Sequence, residues 1–132
     1  MVYACHCRNC QKISASTFNI SCIILEDSIT ITQGELGRVD WVADGGKKRF
    51  GAFCVKCGGR LRHGDEPSRG IYVLRGGTLD DSRYAKPAAH IWVSSKMDWV
   101  DFRDEDLLFD EQPTDYSEIT SRYQAYVRSL TV

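Results

Sequence analysis

Five cysteines stand in two short clusters whose spacing is typical of metal ligands. The first cluster, CHCRNC, supplies Cys5, Cys7 and Cys10, and the second, CVKC, supplies Cys54 and Cys57. Zinc prefers thiolates in tetrahedral geometry, and a C-x-x-C turn places two sulfurs on one side of a tight loop. The spacing therefore predicts metal binding in preference to a disulfide framework.

The first cluster has one thiol more than a C-x-x-C turn needs. Cys5, Cys7 and Cys10 form C-x-C-x-x-C, so one short segment offers three thiolates. Three protein ligands and an open position are typical of a catalytic zinc, whereas four thiolates close the coordination shell. The remaining cysteine, Cys22, lies in an apolar run and is interpreted as a small buried side chain.

The elements that must position these cysteines are mostly short strands. Apolar, alternating segments bounded by glycines or turns recur at close spacing, among them residues 18–25, 70–77 and 90–95, and favour an antiparallel sheet. The Ile and Thr alternation in residues 28–35 predicts a β-hairpin with residues 18–25. We expect one domain over residues 1–132, with a β region at 1–113 and a C-terminal helix at 114–130.

The helix is predicted from its spacing and from its first residues. Ile119, Tyr123 and Tyr126 recur at helical spacing, and Asp115 with Glu118 resembles a capping box.

Composition narrows the classes of function. With 17 basic and 18 acidic residues the net charge is -1, so no basic excess indicates nucleic-acid binding. No apolar run approaches the length of about 20 residues that a membrane span requires. The residues after Met1 do not have the pattern of an export signal, and we therefore expect a cytoplasmic protein.

Four motifs in a fixed order carry a resemblance to a known family. They are CHCRNCQK (residues 5–12), FCVKCGGRL (53–61), GGTLDD (76–81) and HIWVSSKMDW (90–99). Together they resemble the glutathione-dependent formaldehyde-activating enzyme family, also called the S-(hydroxymethyl)glutathione synthase or centromere-protein-V-like family. The resemblance implies an Mss4-like, mainly β fold that holds zinc.

The resemblance also implies roles for the cysteines. Cys5, Cys7 and Cys10 are expected to act in catalysis through the zinc they hold, and Cys54 with Cys57 to form half of a structural zinc site. In the family the other half is a C-x-C on an upstream strand, and none precedes Cys5 in this sequence. Either the sequence starts downstream of the true start, or a shortened member binds zinc differently.

Two zinc arrangements follow. One ion held by Cys7, Cys10, Cys54 and Cys57 is the arrangement that we favour from the sequence, with Cys5 peripheral. The other is the three-cysteine site, with the second pair free or completed by another group. A missing first strand exposes a sheet edge, so a homodimer formed by strand pairing is a further expectation.

The implied activity is a carbon–sulfur lyase reaction that joins glutathione, or a related small thiol, to an aldehyde such as formaldehyde. The alternative is a zinc-stabilised β-domain without catalysis that serves as a binding or chaperone-like module. His6 is expected to point away from the cysteines, and a site role for His90 stays open. Weaker candidates could attract the carboxylates of glutathione; they are Lys47, Arg49, Arg75 and Lys96.

Overall fold

The computed structural model describes residues 1–43 and 45–130. Within them, eight strands form one sheet in the order β3-β4-β5-β6-β2-β1-β7-β8. The strands are β1 (Val2–Cys5), β2 (Asn19–Leu25), β3 (Leu36–Val42), β4 (Lys48–Cys54), β5 (Arg60–Glu66), β6 (Ile71–Arg75), β7 (His90–Ile91) and β8 (Leu108–Phe109). The helices are α1 (Arg8–Ser14) and α2 (Ser117–Leu130). The mainly β fold with a C-terminal helix is confirmed.

The sheet is antiparallel except at one end. β1 pairs with β7, and β7 with β8, in parallel. Parallel partners need a long connection, and residues 6–89 supply it for β1 and β7. β1 thus lies inside the sheet, and all four of its residues are buried.

The hairpin predicted after β2 is wrong. Residues 29–35 form no strand, and a 3-10 turn at Glu26–Ser28 leads the chain away. β2 already pairs with β1 on one side and β6 on the other, so neither of its edges is free for a hairpin partner. The Ile and Thr alternation lies largely exposed instead.

Two helices fix the ends of β1. Two residues separate α1 from β1. Its C-cap residue, Ala15, has a left-handed conformation (φ 49°), and the Ala15 N–H donates to carbonyl oxygens of the last helical turn. α2 begins at Ser117, three residues later than predicted, where the Asp115 carboxylate accepts a hydrogen bond from the Ser117 N–H. Ile119 is fully buried and packs in one cluster with Tyr3 and Ile91. Neither helix in the described ranges has the length and apolar character needed to cross a bilayer.

Candidate metal centre

The end of β1 and the start of α1 bring three thiols together. Cys5 is the last residue of β1, Cys7 caps α1, and Cys10 lies one turn into that helix, with its N–H donating to the Cys7 sulfur over 3.4 Å. The three sulfur atoms all lie within 4.8 Å of one another. Sulfurs bound to one tetrahedral zinc are about 3.8 Å apart for Zn–S bonds of about 2.3 Å. The three thiols therefore fit a metal ion after small adjustments.

Hydrogen bonds within the cluster favour a thiolate at Cys7. The thiols of Cys10 and Cys5 donate hydrogen bonds to Cys7 and hold its pKa well below the usual range. Hydrogen bonds of the Cys5 thiol with Cys10 and with Cys7, together with burial, raise the pKa of Cys5. A thiolate is the form of cysteine that binds metals.

A buried glutamine fixes the turn between the cysteines. The Gln11 side chain donates to the carbonyl oxygens of His6 (2.6 Å) and Ser95 (2.8 Å), and accepts from Arg8 (2.6 Å). It thereby ties α1 to β1 and to the segment after β7. This role was not predicted from the sequence, although Gln11 stands directly after Cys10 in the CQK motif.

The second cysteine pair lies elsewhere. Cys54 ends β4, and Gly58 (φ 71°) turns the chain so that its N–H donates to the Cys54 carbonyl over 2.8 Å. The backbone N–H groups of Cys57 and Lys56 lower the pKa of Cys54. The tight turn has the form expected of CVKCGG.

The structure does not bring together Cys7, Cys10, Cys54 and Cys57, the ligands of the favoured four-thiolate arrangement. Within the described residues, Cys5, Cys7 and Cys10 are the only group of three or more metal-ligating side chains that converge. Three strands, β5, β6 and β2, stand between β4 and β1 in the sheet. A structural metal half-site at Cys54 and Cys57 stays a prediction.

The cysteine cluster forms part of the wall of a cavity of about 740 Å³. Ligand sites for small molecules commonly have volumes of about 300–1,000 Å³. Aromatic side chains, among them Tyr3, Trp92 and Tyr116, line it beside the cysteines. Burial raises the pKa of Tyr3 above its usual value, so its hydroxyl stays protonated near neutral pH.

A basic group lies on the rim of the same cavity. Lys47 and Arg49 contact the Asp65 carboxylate at 2.9 and 3.2 Å, and Arg69 also pairs with it. Asp65 is 7% exposed and lies opposite Arg49 in the β4–β5 register. Of the four residues expected to attract carboxylates, Lys47 and Arg49 line the cavity, whereas Arg75 and Lys96 do not.

His6 points away from the cysteines, as expected. It is fully buried, and its Nε2 lies 2.9 Å from Nδ1 of His90. His90 thus contacts the residue between two candidate ligands without facing the sulfurs. The pairing could not be foreseen from either sequence motif alone.

The comparisons agree with the motifs. The family model described as glutathione-dependent formaldehyde-activating enzyme matches residues 1–95. The chain belongs to this family. No curated protein matches the chain. The match to the formaldehyde-activating family includes both cysteine clusters and His90, and it ends before α2.

Proposed function

We propose that this protein binds zinc through Cys5, Cys7 and Cys10 and joins a small thiol of the glutathione class to an aldehyde such as formaldehyde, as a cytoplasmic carbon–sulfur lyase. Membership of the formaldehyde-activating family supports the reaction class. One observation carries the proposal: the three sulfurs lie within 4.8 Å of one another in the wall of a cavity of substrate size.

The donor set explains why a metal in this position would be reactive. Zinc held by three thiolates retains an open position and supplies Lewis acidity to a thiol or a carbonyl oxygen. Cys54 and Cys57 are not needed for this site. A closed site, which the alternative of a non-catalytic module requires, would need a fourth ligand beside these three.

Residues of the chain supply the other requirements of the reaction. The cavity holds thiol and aldehyde side by side, which reduces the entropic cost of bringing them together. Tyr3 Oη keeps its proton and serves as a donor to the aldehyde oxygen as negative charge develops there. Tyr116, whose ring centroid lies 6.1 Å from that of Tyr3, lines the cavity beside it.

The proposal is tested by following the exchange between formaldehyde and glutathione by NMR with zinc-loaded protein. We expect the protein to accelerate adduct formation above the uncatalysed rate, and Cys7→Ala to remove the acceleration. Cys22→Ala is the matched control, since Cys22 lies opposite Val2 on the other face of the sheet. A wild-type rate equal to the uncatalysed rate, at one zinc per chain, would contradict the proposal.

A further inference from the structure

Two arginines on the cavity face of the sheet lack an acidic partner. Arg75 is 5% exposed, and its Nε and Nη1 are buried without a hydrogen-bond acceptor. Nη1 of Arg60 is buried in the same way. No carboxylate in the described part of the chain pairs with either guanidinium. A buried unpaired charge is costly, so an anion is expected to meet these donors.

Neither arginine lines the cavity, but the strand register places both on the face of the sheet that the cavity covers. Arg75 lies directly opposite Ser21, which lines the cavity. Directly opposed residues of antiparallel strands point to the same face. Arg60 lies opposite Phe53 beyond a register shift in β4, and a Cβ placed on Gly51 would collide with Nη1 of Arg60.

Two more unpartnered nitrogens lie beside Arg60. His63 is directly opposite Gly51, and the rings of Trp41 and His63 have centroids 6.4 Å apart. Nε1 of Trp41 and Nδ1 of His63 are both buried without partners. An indole or guanidinium nitrogen can only donate a hydrogen bond. The unpartnered nitrogens around Arg60 are therefore expected to bind a hydrogen-bond acceptor.

The basic group on the rim does not share this property. Lys47, Arg49 and Arg69 already share the Asp65 carboxylate. Arg60 and Arg75, by contrast, pair with no carboxylate in the described part of the chain. Ser21 lies between Arg75 and Tyr3 in the sheet, and Cys5 follows Tyr3 by two residues on the same face. Arg75 is therefore placed on the same face as the cysteine cluster.

We propose that Arg60 and Arg75, with His63 and Trp41, form a subsite for a carboxylate of the thiol substrate. The inference rests on the proposed function and narrows its substrate class to thiols that carry a carboxylate. Guanidinium groups bind carboxylates through strong, often bidentate hydrogen bonds. A ligand anchored here would present its thiol towards the cysteines.

The probe for this subsite is S-methylglutathione, which retains both carboxylates of glutathione and cannot form a thiolate. Calorimetric titration measures its Kd for the purified protein, whose zinc content is determined in the same sample. We expect Arg60→Gln and Arg75→Gln each to raise Kd by at least about tenfold. The diethyl ester of the probe, which lacks free carboxylates, should bind wild type at least about tenfold more weakly than the acid.

Arg62→Gln is the matched control. Arg62 belongs to the same strand, lies opposite Ala52 on the other face, and stacks 3.8 Å from the Tyr72 ring centroid. Its Nε and Nη1 are also buried without an acceptor, so this control separates the effect of the cavity face from that of an unpartnered arginine in general. We expect it to leave Kd within about twofold of wild type. If Arg75→Gln does not fold, Gly51→Ala tests the same subsite, because the added methyl group displaces the Arg60 guanidinium.

Four outcomes would overturn the subsite. They are an unchanged Kd in both arginine variants, equal binding of acid and diester, acetate that competes as well as the probe, and loss of zinc in Arg75→Gln at an unchanged Kd. The third would assign the site to free small anions, and the fourth would assign Arg75 to the metal centre.

The rate assay separates this inference from the proposed function. Arginine-dependent binding without acceleration of adduct formation would leave the subsite standing and the function refuted. If the protein accelerates adduct formation but Kd is the same in wild type and the arginine variants, the proposed function stands and the subsite is refuted.

Discussion

His6 Nε2 lies 2.9 Å from His90 Nδ1, and this contact ties the turn between Cys5 and Cys7 to β7. The two rings pack against Phe18 and Phe102, with the His6–Phe102 pair edge to face at 5.4 Å. His90 Nε2 in turn lies 4.0 Å from the Asp106 carboxylate. The contact holds the backbone of the candidate metal site from the side opposite the sulfurs.

Breaking this pair from one side should be costly. His90→Phe leaves the buried Nε2 of His6 without a partner, and we expect it to lower the free energy of unfolding by about 1–3 kcal/mol. Replacing both histidines by Phe should cost less than the sum of the two single changes, because no polar atom is then stranded. Urea unfolding of the four proteins of the cycle measures the coupling. Strictly additive effects would show that the contact has no energetic weight.

Metal content distinguishes the two cysteine clusters. Cys5→Ala, Cys7→Ala and Cys10→Ala should each reduce bound zinc well below one ion per chain, because two thiolates under-coordinate the ion. The Cys54→Ala and Cys57→Ala pair should leave that ion in place. Elemental analysis of the purified proteins checks both statements. Zinc that survives loss of Cys5 and disappears with Cys54 would restore the four-thiolate arrangement.

Two adjacent glycines of the GGTLDD motif should respond differently to a methyl group. A Cβ on buried Gly76 would collide with the Ile20 side chain, whereas one on Gly77 would meet nothing within 4 Å. Gly76→Ala should therefore lower the free energy of unfolding by about 1–3 kcal/mol through overpacking. Gly77→Ala is the matched control and should change it by no more than about 0.5 kcal/mol. Equal effects in thermal unfolding would rule out the packing explanation.

Acid should destabilise the protein through His63. Burial lowers the pKa of His63 to about 3. Below pH 6.5, His63 is therefore protonated in the unfolded chain but stays neutral in the folded protein until the pH approaches 3. Stability therefore falls as the pH drops from 6.5 towards 3. Between pH 6.5 and 4.5 wild type should lose about 1–3 kcal/mol more than His63→Gln. Parallel urea-denaturation profiles of the two proteins would contradict this.

The parts of the site that lie close together in the sequence are predictable from it. Cys5, Cys7 and Cys10 converge because a strand end, a helix cap and one helical turn suffice to place them. The alternation of side chains along a strand also correctly predicts that His6 points away from the cysteines. The position of the second cluster relative to the first was not predictable, because residue spacing does not reveal how many strands separate two segments of a sheet.

The parts that depend on register and long-range pairing are not predictable in this way. His6 and His90 meet only because β1 pairs with β7. Simple alternation along β5 would place Arg60 with Arg62 on the outer face, but the register shift beside Ala52 and Phe53 returns Arg60 to the cavity. The predicted hairpin failed for a related reason, since β2 takes both of its partners from elsewhere in the chain.

The three candidate ligands occupy a segment of only six residues, and this affects how metal binding and folding are linked. A ligand stabilises a protein only to the extent that it prefers the folded state. Because a six-residue segment can wrap an ion without the rest of the sheet, the unfolded chain should retain part of the metal affinity. Zinc should then raise the melting temperature less than its affinity for the folded protein would suggest, and a nascent chain could acquire the ion before the cavity around it is complete.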